Sequence, residues 1–249
     1  MTPMPSRPQP DPAQGVFETM LVVHGTPVLP EAHLSRMESS VRAVYGTELP
    51  GDTRRKVAER AADLELGRVR LAFAPPTLEI EAGEVNRSLH FPECPIALRS
   101  HQVSDGLGCH KWADRSTLPP CQTGEAALLV DGAEVLEADR ANVFAVHTGA
   151  VFTPPLDGRI LPGVTRATVI ELARERELEV IESPFSLDQL VASDEVFLTN
   201  SIRGIEAVDS IDGTHLVGGR SLTGLLAEAL RRKWKSGAAA PGGGRSLTA

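Results

Sequence analysis

The sequence predicts an α/β (α+β) chain in two domains, a small N-terminal α/β unit followed by a larger, mostly β unit. Three observations carry that prediction. Hydrophobic residues fill 41% of the 249 positions and charged residues 23%, proportions that support a packed core and exclude disorder throughout. Up to residue 91 the pattern is a strand pair, two amphipathic helices and three short strands, whereas beyond residue 108 strands joined by Gly-containing turns take over. A Gly-rich corner lies between them, so the junction is expected near 99–107, dividing a domain at 14–100 from one at 108–235.

Residues 1–13 hold five prolines without apolar periodicity and read as a flexible leader. Gly15–Val23 is rich in β-formers, and His24–Gly25 turns it into a second short strand at PVLP. Leu34, Met37, Val41 and Val44 recur at helical spacing after Pro30, with Gly46 closing a helix over 31–45 and Arg36 off its apolar stripe. A second helix fits 52–65, capped by Asp52, with Lys56 on its solvated face. Strands follow at 68–74, 77–82 and 87–91. In the larger unit AALLV and AEVLEA flank the hairpin signal Asp131–Gly132, and NVFAV and AVFTP flank another turn. A helix runs from Thr165 to near Glu177, strands lie at 195–200 and 205–208, and a terminal helix spans 222–234. From Ser236 to 249 the chain reads as a flexible tail, in which 243–248 repeats the GGRSLT of 218–223.

The charge balance narrows the partners. With 33 acidic and 25 basic residues the formal charge is −8, which argues against a nucleic-acid groove, because neutralising phosphates needs a basic face. No stretch reaches the ~18 apolar residues of a membrane span and no signal-peptide core precedes the fold, so a cytoplasmic protein without a membrane partner is expected. Cys94, Cys109 and Cys121 form no CxxC pair and no zinc spacing with His110, and no HExxH is present. They are expected to be buried free thiols, with no metal bound.

Three features point to chemistry. Lys111 is one of only four lysines, set between His110 and Trp112 after the Gly-rich corner, where desolvation would lower its pKa and make it a Schiff-base nucleophile. LPGVTR at 161–166 puts a tight turn at a helix N-terminus, an anion site to which Thr165 adds a hydroxyl. Glu137 ends the strand after the Asp131–Gly132 hairpin, and alternation places it on the same face as Val135, half-buried and in need of a cationic or N–H partner. Each alone also fits a bland role: a surface lysine, an ordinary helix cap, a structural carboxylate. Amine, anion cradle and carboxylate together match what pyridoxal phosphate requires.

The segments GVFET (15–19), HLSRM (33–37), HKWADR (110–115), VLEADRANVF (135–144), TPPLDGRILPGVTR (153–166) and DEVFLTNS (194–201) resemble, in this order, the class IV aminotransferase family, the fold-type IV pyridoxal phosphate enzymes. The likeness runs over about 15–210. It implies a small N-terminal α/β sandwich, a larger domain with a barrel-like sheet, and a homodimer. It implies Lys111 as the Schiff-base lysine and proton shuttle, Glu137 as the partner of the pyridine nitrogen, and Arg36, Val164, Thr165, Asn200 and Ser201 as the phosphate-side residues. Thr19 is its candidate for the substrate side, and Arg70, Arg99 and Arg203 are candidate clamps for substrate carboxylates.

Within the family, branched-chain enzymes usually carry a tyrosine five residues after the lysine. Here that position is Ser116, and the only tyrosine is Tyr45. The wording is most like the aminodeoxychorismate lyases, which implies release of pyruvate from 4-amino-4-deoxychorismate to leave 4-aminobenzoate, a folate precursor. The alternatives are an aminotransferase acting on branched-chain or D-amino acids and a cofactor-binding paralogue without turnover.

Overall fold

The computed structural model describes residues 10–239, which build two sheets. The first has the order β2-β1-β3-β4. Its strands are β1 (Val16–Val23) and β2 (Thr26–Pro27), then β3 (Leu66–Ala74) and β4 (Thr77–Glu84), all paired antiparallel. Between them run α1 (Pro30–Tyr45) and α2 (Thr53–Ala61). Helix α1 starts at Pro30, whose missing N–H costs nothing in a first turn, and stops at Gly46, which takes the left-handed φ of 64° that a C-terminal cap favours. Val16, Met20 and Val22 of β1 pack with Leu34, Met37 and Val41 of α1, Val57 of α2 and Val69 and Leu71 of β3. The period of two in the strand and of 3.6 in the helix make that core.

The second sheet has nine strands. In chain order these are β5 (Ile96–Gln102), β6 (Glu125–Asp131), β7 (Glu134–Ala138), β8 (Asn142–His147), β9 (Ala150–Thr153), β10 (Val180–Glu182), β11 (Glu195–Asn200), β12 (Gly204–Ile211) and β13 (Thr214–His215). The order is β10-β9-β8-β11-β12-β5-β6-β7, with β13 against β12. A bridge between Ala138 and Ala141 brings β7 back to β8, so the sheet curls toward a barrel. Alternation sorts its residues: Val143, Ala145, Val196 and Leu198 join Leu98, Leu128 and Val208 on the inner side. Phe144, Val146 and Phe197 face outward onto α3 (Val164–Arg174) and α5 (Ser221–Ala239), against Val169, Leu226, Leu230 and Trp234. A short α4 (Leu187–Val191), held by a capping box of Ser186 and Gln189, completes the unit.

The structure departs from the sequence reading in several places. Residues 10–13 of the expected leader are ordered: Asp11 caps a 3-10 turn at Pro12–Gln14 and donates its N–H to Asp114, 2.8 Å away. Residues 1–9 lie outside the described residues. Helix α2 ends at Ala61, short of 65. The strand expected at 87–91 is a 3-10 turn at Arg87–Leu89, because the Asn86 side chain accepts from the N–H of Ser88 and diverts the backbone from a ladder. Residues 96–100, assigned to the small domain, belong to β5, which pairs parallel with β12 and β6. The terminal helix α5 takes in 236–239 of the expected tail, and 240–249 lie outside the described residues. Cys94, Cys109 and Cys121 are free but exposed, all three standing in loops rather than in either core.

Candidate active site

Between the two sheets a cavity opens to solvent, and Arg36, Lys111, Glu137, Val164, Thr165, Asn200 and Ser201 all line it. Strand β1 fixes the lysine. The segment after the Gly-rich corner adds to the edge of β1: Phe17 donates its N–H to the Lys111 carbonyl at 2.8 Å, Trp112 bridges Val16, and Ala113 donates to the Gly15 carbonyl at 2.9 Å. The Lys111 ammonium lies 5.0 Å from the centre of the Phe17 ring. Desolvation by the surrounding protein pulls its pKa from 10.5 down to about 8, with the nearby Glu18 carboxylate opposing the fall.

Glu18 is not among the site residues expected from the sequence, yet it is 1% exposed and sits between Val16 and Met20 on the core face of β1. A carboxylate in that row needs partners. Helix α1 supplies them at i and i+3: His33 Nδ1 lies 2.8 Å from Glu18 Oε2, and Arg36 donates Nε and Nη2 to its two oxygens at 2.7 and 2.9 Å. Burial alone would raise the Glu18 pKa, but the Arg36 charge, the His33 hydrogen bond and the Lys111 charge hold it far below the usual carboxylate range. His33 is itself pushed down by burial, against the pull of Glu18. Arg36 Nη1 donates to the Pro162 carbonyl at 2.8 Å, which places the guanidinium beside the start of α3.

Glu137 is 4% exposed. The sequence put it on the face of Val135, and the structure corrects this. The ladder between β6 and β7 slips: Leu129 faces Glu137 and Val130 faces Val135, leaving Leu136 as an extra residue. This β-bulge keeps Val135 and Ala138 in the barrel core while turning Glu137 to the cavity. Glu137 accepts from the Leu161 N–H at 3.2 and 3.3 Å and from Asn142 Nδ2 at 3.4 Å. Desolvation dominates nonetheless and raises its pKa to about 8, with Leu161 and the charges of Arg115, Arg36 and Lys111 opposing. Buried without a direct cationic hydrogen-bond partner, it suits a ligand N–H.

Opposite stands the N-terminus of α3. Its N-cap is Gly163, which has no side chain to satisfy the first-turn N–H groups, and Gly163, Val164 and Thr165 face the cavity. A Cβ at Gly163 would come within 1.9 Å of Asn142 Oδ1, so the bare glycine lets Asn142 reach both Glu137 and, at 2.9 Å, the Leu161 carbonyl. Free N–H groups, a helix dipole and the Arg36 guanidinium together form an anion cradle. Thr199 adds to it: its hydroxyl is buried on the cavity wall without a hydrogen-bond partner among the described residues, as are Thr117 Oγ1 and Asp139 Oδ1. Thr199 lies in β11 just before the expected Asn200, the last residue of that strand, and Ser201. Asn200 itself is partly engaged, accepting from the N–H groups of Ile202 and Arg203.

Four sequence candidates do not line the cavity. Thr19 lies on β1 opposite Arg70, and the Arg70 guanidinium stacks 4.6 Å from the Phe17 ring instead of facing the cavity. Arg99 is exposed and pairs with Glu125 at 3.0 Å, and Arg203 pairs with Glu206 at 2.5 Å. Beside them Arg166, next to Thr165 but never one of these candidates, points to Glu182 at 3.0 Å and the Pro154 carbonyl. In their place the cavity rim carries Arg115 and Arg140, which sequence reasoning missed.

Comparison with known proteins accords with this geometry. The profile of the family described as amino-transferase class IV matches residues 121–211. The branched-chain-amino-acid aminotransferase of Escherichia coli (strain K12) is 40% identical over 94 residues, 38% of this chain and 30% of that enzyme. The chain spans about a third of the length of the curated relatives it matches. Among solved structures, the 4-amino-4-deoxychorismate lyase of Pseudomonas aeruginosa is 25% identical, with a TM-score of 0.73 over 88% of this chain and 91% of that one. A hypothetical aminotransferase from Mycobacterium tuberculosis in its PLP-bound form shares the fold at 22% identity, with a TM-score of 0.77 over 95% of this chain and 96% of that one. The segment that matches the class IV aminotransferase family holds Glu137, Thr165 and the strand ending at Asn200, and the fold extends the likeness to the strand and helix that hold Lys111 and Arg36, a fold that binds pyridoxal 5′-phosphate in the Mycobacterium tuberculosis structure.

Proposed function

We propose that the chain is a pyridoxal phosphate-dependent lyase that converts 4-amino-4-deoxychorismate to 4-aminobenzoate and pyruvate. The residues present fit the cofactor: the uncapped α3 N-terminus, Arg36 and the partnerless Thr199 hydroxyl suit a phosphate, and the buried Glu137 suits a pyridine N–H. When bound, pyridoxal phosphate supplies an aldehyde for amine exchange and a ring that withdraws electrons from the carbon losing a proton.

The protein's own contributions follow from the geometry. With its pKa near 8, Lys111 presents a useful fraction of neutral amine near neutral pH and can take and return a proton at Nζ. In the lyase reaction it removes the proton at C4 of the substrate. The C3–O bond then breaks, the enolpyruvyl group leaves and gains a proton to become pyruvate, and the ring becomes aromatic. Glu137 stabilises positive charge on the pyridine nitrogen, and Arg36 and the α3 N–H groups anchor the phosphate end.

The observation that carries the lyase reading is the missing phenol. Ser116 stands five residues after Lys111, and the only tyrosine, Tyr45, donates its hydroxyl to the Pro12 carbonyl at 2.7 Å, away from the cavity lining. The second reading, a transaminase, draws on the 40% identity to branched-chain enzymes over 94 residues. Mixing loaded protein with 4-amino-4-deoxychorismate, and separately with L- and D-amino acids, tests the choice. 4-Aminobenzoate and pyruvate support the lyase. Conversion of the cofactor to its amine form by an amino acid, without 4-aminobenzoate, overturns it in favour of the transaminase, and turnover by neither route points to a paralogue that only binds cofactor.

A further inference from the structure

Most arginines near the cavity are already matched. Arg36 is held by Glu18 and the Pro162 carbonyl, Arg203 by Glu206, Arg99 by Glu125, Arg159 by Glu134 and Asp157, and Arg166 by Glu182. Arg115 and Arg140 differ. Both are exposed and both line the cavity that contains Lys111 and Glu137. Arg115 has no carboxylate within 4.0 Å among the described residues; its Nη2 donates to the backbone carbonyl of Asp139. Arg140 meets the Asp139 carboxylate only at 4.0 Å and the Glu125 carbonyl at 3.5 Å. Asp139 does not neutralise them by hydrogen bonding, since its Oδ1 has no partner.

The fold makes this arrangement from two remote segments. Arg115 follows the lysine on the stretch that β1 pins, while Arg140 lies in the tight turn between β7 and β8, where Ala138 and Ala141 bridge. The Asp139 carbonyl ties one guanidinium to the turn that carries the other. Each fork retains donors with no protein acceptor, and a guanidinium binds a carboxylate best through two parallel N–H bonds.

We propose that Arg115 and Arg140 form a two-point clamp for a substrate bearing two carboxylates, and that this clamp selects dicarboxylates over monocarboxylates at the rim of the cavity. The inference rests on reading the cavity as the cofactor and substrate site. It names a substrate class that 4-amino-4-deoxychorismate satisfies and that a branched-chain amino acid does not.

The test is calorimetric titration of cofactor-loaded protein with glutarate and with butyrate, cofactor content being read from visible absorbance. Loaded wild type is expected to bind glutarate at least about tenfold more tightly than butyrate. R115Q and R140Q should each weaken glutarate about tenfold, leave butyrate within about twofold, and hold as much cofactor as wild type. R115K and R140K, which keep the charge without the fork, should fall between. Loaded wild type that does not distinguish the two acids, or glutamine variants that bind glutarate as wild type does, would overturn the clamp while leaving the cofactor reading intact. A chain that takes up no cofactor overturns that reading, and the clamp with it.

Discussion

Glu18 and Arg36 form a two-pronged ion pair, Nε to Oε1 at 2.7 Å and Nη2 to Oε2 at 2.9 Å, with only 1% and 9% of their side chains exposed. The pair joins the first strand to the first helix at the point where Arg36 reaches the cavity, so it serves the fold and the anion cradle together.

Removing one charge from such a pair leaves the other buried and unmatched. Glu18→Gln is expected to cost about 3 kcal/mol of stability, measured by urea unfolding of the cofactor-free protein at neutral pH. Because the folded-state pKa of Glu18 lies below its unfolded value, its contribution is present at neutral pH and lost only as the pH falls through the folded value. The gap between wild type and variant should therefore persist through pH 6 and close only in strong acid. Equal stability of the two at pH 7 would contradict this account of the pair.

Lys111→Ala should remove the visible absorbance of bound cofactor altogether; an unchanged yellow spectrum would falsify its role as the attachment point. For the wild type, the neutral amine is the reacting form, so the rate of cofactor uptake should climb about tenfold per pH unit on the acid side and level off above about pH 8. An inflection near 10.5, the ordinary lysine value, would mean that the desolvation around Phe17 is not felt by the amine.

Glu137→Gln keeps size and shape but cannot become anionic. Cofactor should still bind, while turnover on the preferred substrate falls about 10²–10³-fold in steady-state kinetics. Turnover close to wild type would remove Glu137 from the electron-withdrawing arrangement and leave it a structural acceptor for Leu161.

Gly163→Ala tests the cradle without touching a charged group. Gly163 has an ordinary φ of −68°, so alanine meets no backbone penalty; its Cβ would meet the Asn142 side chain at 1.9 Å and the Arg166 Cβ at 3.1 Å. Displacing Asn142 should cost about 1–3 kcal/mol in thermal or chemical unfolding and weaken cofactor binding by about tenfold or more. Stability and cofactor affinity both at wild-type levels would show that Asn142 moves aside freely.

Where side-chain period and local turns decide the structure, the sequence was informative. Helix α1 follows from Leu34, Met37 and Val41, the β6–β7 hairpin follows from Asp131–Gly132, and Lys111 stood out through rarity and surroundings. The misses share a non-local or single-residue cause. Strand β5 exists because β12 and β6 lie on either side of it, partners remote along the chain. Arg115 and Arg140 meet only after folding. Glu18 left a signal that went unread: a charged residue between Val16 and Met20 in a period-two row, facing a helix with His33 and Arg36 three apart. Thr199 left none, being one more β-branched residue in a buried strand.

The extra residue at Leu136 carries a wider consequence. Strand β7 could be rewritten with other apolar side chains and still seat its carboxylate, and so could a strand lacking Leu136, in which Glu137 would follow Val135 directly and still stand opposite Leu129; a strand that kept Leu136 but paired without the slip would set Glu137 opposite Leu128 and present it to the oily interior of the barrel. The position of this acid is thus set by the register of the ladder rather than by the identity of its apolar neighbours.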